Sequence, residues 1–144
     1  MSIFKSMQIN TSGLNLERLK LDTISTNITN VNTSRTEDGG PYRRKLVLFT
    51  ENLVNETTKL KGTMGPSSQG VKVTGIGEDA SDFRLEYDPN HPDADEDGYV
   101  SMPNINMVDE MIDLIKTQRS YEANVTALNT SKSILKKALE ISKD

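Results

Sequence analysis

Apolar residues recur at alternating spacings of four and three at both ends of this chain, and this feature limits the fold more than any other. Near the N-terminus the repeat covers residues 3–31, and near the C-terminus it covers residues 107–139. Two polar residues interrupt each repeat: Asn10 and Glu17 in the first, Gln118 and Lys132 in the second. The spacing predicts two long helices that pair as an antiparallel coiled coil.

The predicted packing residues lie on these two repeats. In the first helix they are Leu14, Leu21, Ile24, Ile28 and Val31; in the second they are Met111, Leu114, Tyr121, Val125, Leu128, Leu135 and Leu139. Both helices also carry apolar residues on a second face: Ile9, Leu16 and Leu19 in the first, and Val108, Ile112, Ile115, Ile134, Ala138 and Ile141 in the second. One antiparallel partner cannot cover both faces, so the sequence favours a four-helix-like homo-oligomer, a fold of the helices against the middle segment, or a helical layer in a many-subunit assembly.

Between the helices, short alternating segments predict a small β-rich region. Strands are expected at residues 45–50, 71–76, 83–87 and 99–101, and a mobile loop at residues 62–70. Asn104 is the predicted N-cap of the second helix. The predicted fold class is mainly α with a small β insertion (α+β). The predicted domains are an N-terminal axial helix (1–33), an inserted β-rich domain (34–104) and a C-terminal axial helix (105–144).

Composition excludes several classes of function. Cysteine and tryptophan are absent and His91 is the only histidine, which removes thiolate chemistry and multi-histidine metal sites. The net charge of −4 argues against nucleic acid as a partner. No apolar run approaches the roughly 18 residues of a membrane span, and the N-terminus lacks the apolar stretch of a cleaved signal peptide. We therefore expect no catalytic residues, no cofactor, no metal and no direct membrane insertion.

The segment DADEDG, residues 93–98, matches the first half of an EF-hand calcium loop. Asp93, Asp95 and Asp97 occupy alternate positions, and Gly98 stands where the loop turns sharply. The second half of the loop fails, because its twelfth position is Asn104 where a bidentate glutamate is needed. The segment is therefore expected to be an acidic, tightly turned surface loop.

Charge is segregated along the chain. Residues 78–97 contain nine acidic residues and a single basic one, Arg84, whereas Arg43, Arg44 and Lys45 form a dense basic cluster. The simpler interpretation is a solvated acidic loop. The alternative is that the acidic residues of one subunit, Asp93, Asp95 and Asp97, face the basic cluster of a neighbouring subunit and fix the register of assembly.

Four segments in order along the chain resemble one known family. Residues 25–33, STNITNVNT, resemble the motif SNNIANVNT of the bacterial flagellar axial proteins of rod and hook. Residues 37–45, 87–111 and 119–141 resemble the proximal-rod members of that family. Residues 51–68 match nothing in it.

The resemblance implies a structural subunit of the flagellar basal body that transmits torque from the membrane ring to the distal rod and hook. It implies helical packing with copies of itself, with other proximal and distal rod proteins and with the adaptor that joins the rod to the membrane ring. It also implies passage through the flagellar export apparatus without a cleaved signal peptide, and location in the rod that spans the periplasm. The motif asparagines Asn27, Asn30 and Asn32, together with Asn124, are expected to form hydrogen bonds that fix helix register.

Two alternatives come from other classes. A calcium-responsive coiled-coil adaptor would use the DADEDG segment, and a hydrolase would use His91. A calcium titration tests the first, and an activity screen of His91→Ala tests the second.

Overall fold

A computed structural model describes residues 3–37, 39–54 and 67–141 of the chain. Two helices and four strands follow in order: α1 (Ile3–Thr29), β1 (Lys45–Val54), β2 (Ser67–Glu78), β3 (Arg84–Tyr87), β4 (Tyr99–Met102) and α2 (Met107–Ile141). Two long helices with a small β region between them confirm the α+β class. No helix among these residues is both long and apolar enough to cross a membrane.

Helix α1 runs without a break through a segment that is rich in threonine and asparagine. The hydroxyls of Thr11, Thr26 and Thr29 each donate to the backbone carbonyl four residues earlier, at 2.8 to 2.9 Å. These bonds satisfy the side chains inside the helix, although such residues have low intrinsic helix propensity. The helix therefore depends on its packing more than on its own composition.

Helix α2 begins later than its predicted cap. The cap is Asn106, whose Oδ1 accepts from the backbone N–H of Val108 at 3.0 Å. The prediction of Asn104 was wrong, because the side chain of Asn104 instead bonds to the backbone of Arg44 and to residues 79 and 81. Asp109 and Glu110 occupy the first turn, where carboxylates are favoured by the helix dipole.

The strands form two separate two-stranded sheets, β1 with β2 and β3 with β4. The second sheet is antiparallel, with Arg84 opposite Met102 and Tyr87 opposite Tyr99. All four predicted strands are present, and β1 and β2 are longer than predicted. The predicted loop was wrong at residues 67–70, which belong to β2; residues 62–66 lie outside the described part of the chain.

The chain divides into two compact units, and each helix contributes to both. The first unit comprises the described residues within 1–19, 48–75 and 118–144, and the second comprises those within 20–47 and 76–117. In the first unit Leu16 is buried. In the second unit Tyr42, Val100, Pro103 and Ile105 are buried together with polar side chains. These polar side chains form the candidate functional site.

Candidate functional site: a buried polar cluster in the second unit

Asn27 lies at the centre of a cluster of polar side chains, and its own side chain is only 1% exposed. Its Nδ2 donates to the carbonyl of Lys45 at 2.9 Å and to Glu110 Oε2 at 3.1 Å. Its Oδ1 accepts from the N–H of Lys45 at 2.9 Å and from the hydroxyl of Tyr42 at 3.1 Å. All four hydrogen-bonding positions of the carboxamide are therefore used.

Glu110 brings helix α2 into the same cluster. Its residue is 1% exposed, and its Oε1 accepts from Arg44 Nε at 2.6 Å while Oε2 accepts from Asn27. A carboxylate without water is tolerated only when it is paired and hydrogen-bonded. Glu110 meets both conditions, and its place in the first turn of α2 adds the favourable helix dipole.

Arg44 connects Glu110 to two more carboxylates. Its guanidinium lies 3.5 Å from Asp79 Oδ2 and 3.8 Å from Asp113 Oδ2. Burial lowers the pKa of Arg44, but the hydrogen bond and charge of Glu110, helped by Asp79, outweigh burial and leave the pKa raised. The guanidinium is therefore a permanent internal counter-ion.

Two further groups complete the polar cluster, which we define as Asn27, Tyr42, Arg44, Asp79 and Glu110. Burial raises the pKa of Tyr42, and the charges of Glu110 and Glu78 raise it further. Hydrogen bonds from Ser81, and then the charge of Arg44, lower the pKa of Asp79. Among the described residues, no buried side-chain nitrogen or oxygen lacks a hydrogen-bond partner. The cluster is therefore fully satisfied, which is the condition under which a buried polar network gives a unique structure.

The predicted packing residues are distributed over several degrees of burial. Half-buried residues form the largest group: Leu14, Leu21, Ile24, Ile28, Val31, Leu114, Tyr121, Val125, Leu128 and Leu135. Met111 and Leu139 are 47% and 59% exposed. The fully buried helix positions are Leu16, Thr23, Asn27, Glu110 and Thr117. The most buried face of each helix is thus offset from the predicted repeat, and it is largely polar.

The other three predicted asparagines have different surroundings. Asn30 Nδ2 donates to the carbonyl of Thr26 at 2.9 Å, close to the end of α1. Asn32 is exposed. Asn124 lies in the first unit, where its Nδ2 is 3.1 Å from the position that a Cβ on Gly13 would occupy. Only Asn27 enters the polar cluster.

The basic residues are engaged within the chain. Arg43 donates to the carbonyls of residues 79 and 81 at 2.9 and 3.1 Å and lies 4.2 Å from the ring centre of Phe83. Lys45 Nζ lies 5.6 Å from the ring centre of Tyr42. The pairing of Arg44 with Glu110 and Asp79 reduces the cationic charge that the basic cluster offers to a neighbouring subunit, whereas the carbonyls and rings that contact Arg43 and Lys45 are neutral groups.

The acidic loop has its own internal contacts. Asp93 Oδ2 accepts from the hydroxyl of Ser34 at 2.9 Å, and Oδ1 lies 3.5 Å from Arg35. Asp95 Oδ1 accepts from the backbone N–H groups of Asp97 and Tyr99, at 3.1 and 2.7 Å.

Asp95 therefore fixes the turn before β4. Gly98 adopts a positive φ of 83° there, as its place in the turn requires. Within residues 3–37, 39–54 and 67–141, no three acidic or histidine side chains are grouped so as to hold a metal ion.

Sequence reasoning missed Glu110, Tyr42 and Asp79 as members of one cluster. For Glu110 a signal was available, because it lies four residues before Leu114 and seven before Thr117, on one helix face. A carboxylate on the packing face requires a buried cation or amide partner. In this sequence the basic cluster and the motif asparagines could supply such a partner for Glu110, and the sequence does not identify which of them does.

Comparison with family models gives two matches to flagellar proteins. Residues 7–35 match the family described as flagella basal body rod protein. Residues 96–141 match the family described as flagellar basal body rod FlgEFG protein C-terminal. The matched segments contain Asn27 and Glu110, the two most buried members of the polar cluster.

Curated relatives match over almost the whole chain. The flagellar basal-body rod protein FlgC of Borreliella burgdorferi is 46% identical, covering 98% of each chain. FlgC of Bacillus subtilis is 43% identical, covering 99% of this chain and 100% of the relative. FlgC of Escherichia coli O157:H7 is 36% identical, covering 98% of each.

Proposed function

The chain belongs to the FlgC family of flagellar basal-body rod proteins, and on that premise we propose that it forms part of the proximal rod and transmits torque to the distal rod and hook. It is a structural protein of the rod and not an enzyme. The observation that carries the proposal is the exposed apolar face of α2. Val108, Ile112 and Ile115 are 63%, 45% and 52% exposed, at spacings of four and three. A helix face of this kind is normally covered by another helix.

We propose that other subunits of the rod cover this face. Ile134 and Ile141, in the C-terminal part of α2, are also exposed, at 55% and 77%, and we propose that subunits of the rod cover them as well. Partners would be copies of this chain, other proximal and distal rod proteins and the adaptor to the membrane ring. The subunit would reach the periplasm-spanning rod through the flagellar export apparatus.

The antiparallel pairing of α1 with α2 also belongs to the proposal. In the first unit Gly13 of α1 approaches Asn124 of α2, and in the second unit Asn27 bonds to Glu110. Each unit by itself therefore contains a contact between the two helices, which supports the proposed pairing.

Electrostatic contacts between subunits would contribute least to the proposed assembly. The charge of Arg44 is neutralised by Glu110, so Arg43, Lys45 and the exposed Asp97 are the groups available for a neighbour. Exposed pairs contribute about 0 to 1 kcal/mol each. Such contacts would adjust register and would contribute little affinity.

Substitution on the exposed face of α2 tests the function. Ile112→Asp should leave the isolated chain folded, because the side chain is about half exposed, but it should abolish swimming when the variant replaces the native protein. Ser120→Asp is the matched control, since it adds a carboxylate at an exposed polar position of α2 that lies outside the spacing of Val108, Ile112 and Ile115. Normal swimming with Ile112→Asp, in a variant that is expressed and exported, would contradict a role for this face in the rod.

A further inference from the structure

Asn27 pairs with Lys45 in the way that one β-strand residue pairs with another. The carboxamide accepts from the N–H of Lys45 and donates to its carbonyl, both at 2.9 Å. In an antiparallel ladder a hydrogen-bonded residue pair exchanges the same two bonds. Here the partner is a side chain on helix α1, and Lys45 is the first residue of β1.

The second pair of hydrogen bonds on Asn27 extends the link to two other segments. The remaining Nδ2 proton points to Glu110 on α2, and the remaining lone pair of Oδ1 accepts from Tyr42. Few side chains can replace this group. Aspartate has no donor, serine and threonine lack the second polar atom, and glutamine has an extra methylene that moves the amide.

We infer that Asn27 is a positioning residue whose carboxamide, acting as a substitute strand, fixes β1 and the first turn of α2 against helix α1. The role is chemical as well as steric, because the same amide must donate to one carbonyl and one carboxylate and accept from two donors. It concerns the fold of the second unit and holds whether or not the proposed function is correct.

The decisive variant is Asn27→Asp, which has nearly the same shape. It would place a second carboxylate about 3.1 Å from Glu110 Oε2 and an acceptor against the carbonyl of Lys45. Besides Glu110, the charged or titratable groups around this position are Arg44, Tyr42 and Lys45, together with Asp79 beside Arg44 and Glu78, whose charge acts on Tyr42. Two carboxylates at this separation cannot both stay ionised at low cost. Lower pH should therefore restore the variant, since one proton shared by the pair also restores a donor.

The experiment is thermal unfolding of the full chain at pH 7.5 and pH 5, followed by near-ultraviolet circular dichroism. At pH 7.5 Asn27→Asp should lower Tm by about 10 °C or more. At pH 5 it should recover about half of that loss relative to the native chain. Asn27→Leu should lose stability at both pH values without this recovery. Asn32→Asp is the matched control: it adds a carboxylate at an exposed asparagine just beyond α1 and should change Tm little.

If Asn27→Asp does not fold at either pH, a double variant tests the same inference. The double variant Asn27→Asp with Glu110→Gln replaces the carboxylate pair by a carboxylate and an amide, so it should regain a cooperative transition. Amide exchange gives an independent reading: the N–H of Lys45 should be protected in the native chain and should lose protection in Asn27→Leu. The inference is overturned if Asn27→Asp and Asn27→Leu both fold and respond to pH alike, if Asn27→Asp does not fold and the double variant recovers nothing, or if Lys45 is unprotected in the native chain.

Discussion

The two units hold their helices in different ways. In the first unit, backbone and small side chains approach closely: Gly70 of β2 lies against Ser12 and Ile9 of α1, and Gly13 lies against Asn124. In the second unit, long polar side chains bridge the segments. One arrangement depends on the absence of a side chain, and the other depends on the identity of each side chain.

This difference determines which substitutions each unit tolerates. The close contacts of the first unit are disrupted when a substitution adds side-chain volume, whereas a charge at a distance has little effect on them. A buried polar cluster fails when one partner is removed, because the remaining group is left without water or counter-ion. Substitutions that change side-chain volume and substitutions that remove a polar partner should therefore affect the two units differently.

Removing the internal cation should damage the second unit most. Arg44→Leu leaves the carboxylate of Glu110 buried and without its charged partner, and we expect a loss of about 3 to 5 kcal/mol in the free energy of unfolding. Chemical denaturation followed by near-ultraviolet circular dichroism measures it. Arg35→Leu is the control, since that side chain is 76% exposed beside Asp93 and its ion pair should contribute about 0 to 1 kcal/mol.

The same variant can be repaired if the comparison is correct. Adding Glu110→Gln to Arg44→Leu removes the uncompensated charge, so most of the lost stability should return. Equal destabilisation by Arg44→Leu and Arg35→Leu would show that the cluster is not what holds the second unit together.

Added volume should damage the first unit. At Gly70 the backbone has a φ of 97°, and a Cβ would overlap the hydroxyl of Ser12 and lie 3.3 Å from the Cα of Ile9. Ser12 cannot turn away freely, because its hydroxyl donates to the carbonyl of Ile9 at 2.7 Å and accepts from Val71 N at 3.2 Å. We expect Gly70→Ala to cost about 1 to 3 kcal/mol by denaturation.

Gly75 in the same strand is the matched control. Apart from its two neighbours in the chain, no atom of the described residues lies within 4 Å of the position that a Cβ on Gly75 would occupy, and its φ is not positive, so Gly75→Ala should be nearly neutral. A similar loss from both substitutions would mean that glycine is needed in β2 for a reason other than the contact with α1.

Part of this contrast could be predicted from the sequence. The apolar repeats of residues 3–31 and 107–139 predicted both helices, and the alternating segments predicted all four strands. The apolar repeats did not indicate the buried polar residues, because a heptad pattern assigns apolar residues to the core, whereas here Asn27 and Glu110 are buried and Met111 is exposed. The basic cluster was visible in the sequence, but the pairing of Arg44 with Glu110 depends on a hydrogen-bond geometry that spans 66 residues.

A smaller effect separates a structural role of the acidic loop from a calcium site. Because Asp95 Oδ1 accepts two backbone N–H groups, Asp95→Ala should lower stability by about 1 kcal/mol. The loss should be the same in calcium and in chelator, and Asp95→Asn, which keeps an acceptor oxygen, should recover most of it. A rise in Tm of the native chain on adding calcium, absent in Asp95→Ala, would instead support a cation site.

The smallest effect concerns acid, and it should be confined to the second unit. Hydrogen bonds from Ser81, followed by the charge of Arg44, hold the pKa of Asp79 below its ordinary value of 3.8. A carboxyl whose pKa is lowered by folding stabilises the folded state above the unfolded pKa, and this contribution is lost as pH falls through the folded value.

The second unit should therefore begin to lose this contribution once pH falls below about 4. Asp79→Asn should flatten that part of the stability profile while keeping an acceptor for Ser81. Amide exchange resolved by residue distinguishes the units: if acid opened the contact between Ser12 and Val71 as early as the bond between Arg44 and Asp79, the two units would not differ in their dependence on charge.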